Sequence, residues 1–171
     1  MQTTIDLTRS APMADAFNRP ITYLRVSVTD KCNLRCVYCM PESGLAWLAR
    51  QDLLTYEEII EIVRAAASVG VRTIRLTGGE PLVRRDLHRL VAGIDAIDGI
   101  DDIALSTNAV LLEDQLEALK AAGLRRLNIS LDTLDEARFE QIARRPGLDK
   151  VLRGIETAIA ADMGPLKLNV V

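Results

Sequence analysis

The 171 residues contain three cysteines, one histidine, one tryptophan and two phenylalanines. Each scarcity excludes something. A lone histidine, His88, provides no imidazole set for a mononuclear metal site, and structural zinc normally takes four protein ligands. Three clustered thiols are not a secreted disulfide framework, because any pairing leaves one over. No apolar run approaches the length of a membrane span. Met1 to Pro20 lacks the basic start and apolar core of a signal peptide. Reduced thiols with neither signal nor span point to the cytoplasm. A net charge of −3 argues against a general nucleic-acid binder. The remaining composition, 49% apolar and 26% charged, is that of an ordinary globular protein. A chain of this size buries roughly 70% of its unfolded surface.

Every cysteine lies in Lys31-Cys32-Asn33-Leu34-Arg35-Cys36-Val37-Tyr38-Cys39-Met40-Pro41, in the pattern C-x-x-x-C-x-x-C. A chain reaches at most roughly 3.5 Å per residue, so these thiols cannot separate far. One loop can wrap one metal centre. Thiolates are soft ligands that suit iron–sulfur clusters and zinc. Three thiolates on a four-iron cluster leave one iron for a non-protein ligand, just as a catalytic zinc keeps one position open. Zinc stands as the alternative.

Periodicity predicts alternating strands and helices. Residues 1–20 read as an arm, and 21–171 as one βα-rich unit. Strands are expected at 23–28, 73–77, 103–107, 126–131 and 166–171. Thr55 and Glu58 form a capping box before Tyr56, Ile59, Ile60, Val63 and Ala67 at helical spacing. Asp86 is expected to cap a second helix carrying Leu87, Leu90, Val91, Ile94 and Ile97, closed by Gly99. A third runs through Leu112, Leu116 and Leu119. Asp135 starts a short fourth, and Val151, Leu152, Ile155 and Ile159 mark a fifth. This alternation implies parallel βαβ units and a partial (β/α) barrel, open at one side. Polar residues recur at the strand ends that carry sites in such folds: Thr77, Ser106, Asn108, Ser130 and Asp132. Thr77-Gly78-Gly79-Glu80-Pro81 follows the second strand. Its paired glycines let backbone approach a ligand closely. It lacks the spacing of a phosphate loop or dinucleotide fingerprint, and a plain strand-to-helix turn is the competing reading.

The three cysteines with Tyr38, followed by Gly78-Gly79-Glu80-Pro81, resemble the radical S-adenosylmethionine (SAM) superfamily. Leu24-Arg25-Val26-Ser27-Val28-Thr29-Asp30 before Cys32, Met40-Pro41 after Cys39, Asn128-Ile129-Ser130-Leu131-Asp132 and Lys167-Leu168-Asn169 narrow the resemblance to the molybdenum cofactor biosynthesis protein A family, the GTP 3′,8-cyclases. It covers about residues 18–171. It implies a [4Fe–4S] cluster on Cys32, Cys36 and Cys39. It implies SAM at Tyr38, Gly78, Gly79, Glu80 and Ser130, and GTP at Arg25, Arg75, Ser106 and Lys167. Reductive SAM cleavage to a 5′-deoxyadenosyl radical, acting on GTP, is the implied lyase chemistry. An external electron donor is then required, and a homodimer is compatible. The family usually has glycine where Ala109 stands. It also has a second cluster on three further cysteines, absent from these residues, so the chain is expected to be an N-terminal part that makes no cyclised GTP alone. Two alternatives are a radical SAM enzyme with another substrate and a non-catalytic cluster- or zinc-binding fragment.

Overall fold

Five strands alternate with helices in a computed structural model that describes residues 12–164 and 166–171. The elements are β1 (Tyr23–Ser27), α1 (Tyr56–Ser68), β2 (Thr73–Thr77), α2 (Leu87–Asp95), β3 (Asp102–Thr107), α3 (Leu116–Ala121), β4 (Arg126–Ser130), α4 (Glu136–Ala143), α5 (Leu148–Ala160) and β5 (Lys167–Asn169). Every strand pair is parallel, and the order is β1-β2-β3-β4-β5. Each βα unit thus steps one place in the same direction. That is the winding of a (β/α) barrel, whereas a doubly wound sheet reverses its order. The sheet is a partial barrel, as the alternation implied.

Strand side chains alternate between faces. One face carries Ile74, Leu76, Ile103, Leu105, Leu127 and Ile129, all fully buried. They join one core with Ile59 and Val63 of α1, Leu90 and Ile94 of α2, and Val151 of α5. The opposite face is mostly polar. Arg25 lies beside Arg75, Arg75 beside Ala104, and Ala104 beside Arg126. One row further along, Ser106 lies beside Asn128 and Asn128 beside Lys167. A barrel folded from these strands has an apolar helix layer outside and a polar lining inside.

The capping box of α1 forms in full. Thr55 accepts from the Glu58 N–H, and the Glu58 carboxylate accepts from the Thr55 N–H at 2.7 Å. Asp135 caps α4 by accepting from the Arg138 N–H at 2.8 Å. Asp86 does not cap α2 as expected. Its backbone is left-handed (φ 59°), and its side chain makes no capping bond. The α2 helix also ends at Asp95, ahead of Gly99. Leu112 is buried in a turn before α3, and β5 is shorter than its expected span. Residues 1–11 of the expected arm, and Pro165, lie outside the described residues. Residues 12–21 fold back on the end of α1: the Met13 N–H donates to the Val69 carbonyl, and the Ile21 N–H to the Met13 carbonyl, both at 2.8 Å.

Candidate functional site

The cysteine loop leaves β1 at the C-terminal edge of the sheet and is fastened on two sides. Toward β2, the Gly79 N–H donates to Thr29 O (2.7 Å) and the Glu80 N–H to Lys31 O (2.8 Å). Toward the end of α4, the Arg35 N–H donates to Ala143 O and the Val37 N–H to Ile142 O, both at 2.9 Å. Leu34 anchors the loop in the core at 5% exposure. Cys32 and Cys36 are half-buried, and Cys39 is exposed. Burial pushes the Cys32 and Cys36 thiols up from their ordinary range, with Cys39 adding to the shift at Cys36. Metal loading must therefore displace protons.

The donor set suits an iron–sulfur cluster. All three thiols are free. Among the described residues, no three His, Cys, Asp or Glu side chains converge on a single metal ion. Three soft thiolates on a cubane leave its fourth iron open, whereas structural zinc normally takes four protein ligands.

The glycine pair after β2 is explained by this loop. A Cβ at Gly78 would overlap the Thr29 carbonyl oxygen, and one at Gly79 the carbonyl oxygens of Asp30 and Lys31. The close approach anticipated toward a ligand is made first to the cysteine-loop backbone. Gly79→Ala should consequently displace the segment next to Cys32. We expect a lower unfolding midpoint together with reduced iron retention, read by thermal melts and iron analysis. A variant that kept wild-type values in both would show that the loop has room for a methyl.

Glu80 is turned inward. It is 1% exposed, and burial raises its pKa. Its Oε1 accepts from the Thr107 hydroxyl (2.7 Å) and the Leu82 N–H (3.1 Å), and its Oε2 from the Asn108 N–H (2.7 Å). The carboxylate therefore braces the end of β2 against the end of β3. Asn108 extends the brace, because its Nδ2 donates to Asn33 Oδ1 at 2.8 Å in the cysteine loop. The next residue, Ala109, is fully buried with φ 62°, a conformation that glycine takes at less cost. The Tyr38 hydroxyl donates to Asp132 Oδ2 at 2.7 Å, and its pKa is driven up by burial and by this bond. Asn108 stands out in the sequence only as a polar residue at a strand end, and Asp132 as that and as part of the Asn128-Ile129-Ser130-Leu131-Asp132 stretch. Asn33 and Thr107 gave no separate signal.

A pocket joins the loop to the sheet, lined by Cys36, Tyr38, Asn108, Ser130, Asp132 and Phe139. Ser130 thus meets the cysteine loop. Arg25, Arg75, Ser106 and Lys167 lie deeper along the same polar sheet face. Arg25 and Arg75 are directly adjacent across β1 and β2. Among the described residues neither forms an ion pair, whereas neighbouring Arg126 binds Asp102 through two nitrogens. The Arg75 guanidinium lies 5.4 Å from the Tyr23 ring centre, and its buried Nε has no hydrogen-bond partner.

The family model for the radical SAM superfamily matches residues 26–171. The GTP 3′,8-cyclase of Heliobacterium modesticaldum is 54% identical over 159 residues, covering 93% of this chain and 49% of the relative. That of Rhodopirellula baltica is 50% identical over 165 residues, covering 96% of this chain and 46% of the relative. The chain thus spans about half the length of the curated relatives it matches. Among solved structures, anSMEcpe with bound AdoMet is similar at TM-score 0.65 and 17% identity, over 88% of this chain and 42% of that one. HydG, a maturase of the [FeFe]-hydrogenase, is similar at TM-score 0.71 and 17% identity, over 88% and 35%. At such identities the likeness is one of fold.

Proposed function

The chain belongs to the radical SAM superfamily, and from that premise we propose that it carries the radical-generating part of a GTP 3′,8-cyclase, which begins molybdenum cofactor biosynthesis. In this reading residues 21–171 are the catalytic barrel and 1–20 an arm. Cys32, Cys36 and Cys39 would hold a [4Fe–4S] cluster. Tyr38, Gly78, Gly79, Glu80 and Ser130 would form the SAM subsite, with Glu80 contributing by shaping the loop. When bound, cluster and SAM supply the one-electron chemistry, and the protein's part is to bind, orient and exclude water. An external electron donor and a cytoplasmic setting belong to the same reading, and pairing of two copies is compatible with it.

One observation carries the choice of substrate: adjacent Arg25 and Arg75, with no ion-pair partner among the described residues, lie beside the Ser106–Lys167 row. Like charges on neighbouring strands repel, and each unpaired guanidinium is a preformed fork for phosphate oxygens. A polyphosphate satisfies both at once. A charge-assisted hydrogen bond contributes about 1.5–3 kcal/mol, so Arg75→Ala should weaken GTP binding by about 10- to 100-fold. Arg126→Ala should change it little, because Asp102 already neutralises that side chain. Calorimetry with GTP and with guanosine checks the assignment. Equal affinity for the two ligands, or an Arg75→Ala variant that binds GTP unchanged, would refute it.

A further inference from the structure

We propose that Asn108, at the end of β3, is a positioning residue for the cluster: it directs an amide N–H at the Cys32 sulfur and so raises the cluster's reduction potential. The proposal rests on the cluster reading above. The Asn108 carboxamide is held at both ends. Its Oδ1 accepts from the Val110 N–H at 3.1 Å, which fixes which end carries the nitrogen. Its Nδ2 has two hydrogens. One goes to Asn33 Oδ1 at 2.8 Å, and the other faces Cys32 Sγ at 3.9 Å. Its own backbone is pinned by Glu80, with its N–H on Oε2 at 2.7 Å. A buried carboxylate, a strand end and a cluster ligand are thereby joined in one chain of contacts. A second donor, the Leu34 N–H, reaches the same sulfur at 3.4 Å. Among the described residues, the N–H donors that reach a cysteine sulfur both reach Cys32.

The direction follows from charge. Reduction adds one negative charge to the cluster, and part of it resides on the ligand sulfurs. A donor aimed at a sulfur stabilises the reduced form more than the oxidised form. Asn108→Leu removes the donor at similar volume. Asn108→Asp keeps the acceptor for the Val110 N–H and sets a carboxylate in place of the amide nitrogen. Both should lower the midpoint potential, the aspartate more.

The test is an anaerobic redox titration of the cluster-loaded chain, read by EPR and at matched iron content. We expect the reduced-to-oxidised ratio at fixed potential to fall about tenfold in Asn108→Asp, which for a one-electron couple is about 59 mV. The wild-type chain, labelled with 15N at the asparagine side-chain amide, should show 15N coupling to the reduced cluster in pulsed EPR. An unshifted potential in a fully loaded Asn108 variant would overturn the proposal. So would the absence of 15N coupling in wild type, whatever the variants do. Failure of the wild-type chain to take up iron and sulfide would instead strike the cluster reading itself.

Discussion

Anaerobic reconstitution should place one [4Fe–4S] cluster on each chain, and Cys32→Ala, Cys36→Ala and Cys39→Ala should each abolish it. The three thiols belong to the only cysteines in the sequence, so no other thiolate can substitute. The variants should differ in what else they change. Cys32 and Cys36 pack partly against the core, and their replacement alters loop packing as well as ligation. Cys39 is exposed. Its removal should leave the unfolding free energy of the metal-free chain within about 0.5 kcal/mol of wild type, as for most surface substitutions, while the cluster is lost all the same. That combination separates a ligand from a packing residue. Iron and sulfide analysis, the absorption spectrum and a denaturant melt of the metal-free chain read it out. One tightly held zinc per chain, with refusal of iron and sulfide, would overturn the cluster.

The strands and the polar barrel face were legible because their causes are local. A period of two and the turn residues between runs specify a strand, and the succession of βα units specifies parallel pairing. Arg25, Arg75, Ser106, Ser130 and Lys167 share a face because they share strand parity, which register then preserves. The partners of the loop ends were not legible. Glu80 reads from sequence as a site residue beside two glycines. Only the fold shows that Thr107 and Asn108, nearly thirty positions away, take up both its oxygens. The glycine pair likewise reads as backbone exposed to a ligand, whereas the nearest surface is the Thr29–Lys31 backbone. Asp86 failed as a cap for a different reason. Residue type indicates that a cap is available, but the left-handed turn entering α2 directs the side chain elsewhere.

Glu80→Ala should destabilise the fold on the order of 3 kcal/mol and release the cysteine loop, because it strands three donors at once. The Leu82 and Asn108 N–H groups and the Thr107 hydroxyl all point at a carboxylate that is almost wholly buried. Leaving a buried donor without a partner costs about 1–3 kcal/mol, and the rotatable Thr107 hydroxyl can recover part of its share. Glu80→Gln should cost less, because one amide oxygen still serves Oε1's two donors while the NH₂ group faces the Asn108 N–H. The two variants also separate stability from charge. Burial raises the folded-state pKa of Glu80 above its ordinary 4.5. The folded protein then binds this proton more tightly than the unfolded chain does. By linkage, stability contributed by the group is fully present below the unfolded pKa and declines as pH rises through the folded pKa. The glutamine variant has no such proton. The stability advantage of wild type over Glu80→Gln should therefore be largest below pH 4.5 and shrink toward neutrality. Urea melts of both proteins across that range measure the difference directly, and the remaining carboxylates cancel in the comparison. An advantage that grew with pH would mean that the hydrogen bonds outweigh burial and hold Glu80 ionised more readily in the fold than in the unfolded chain.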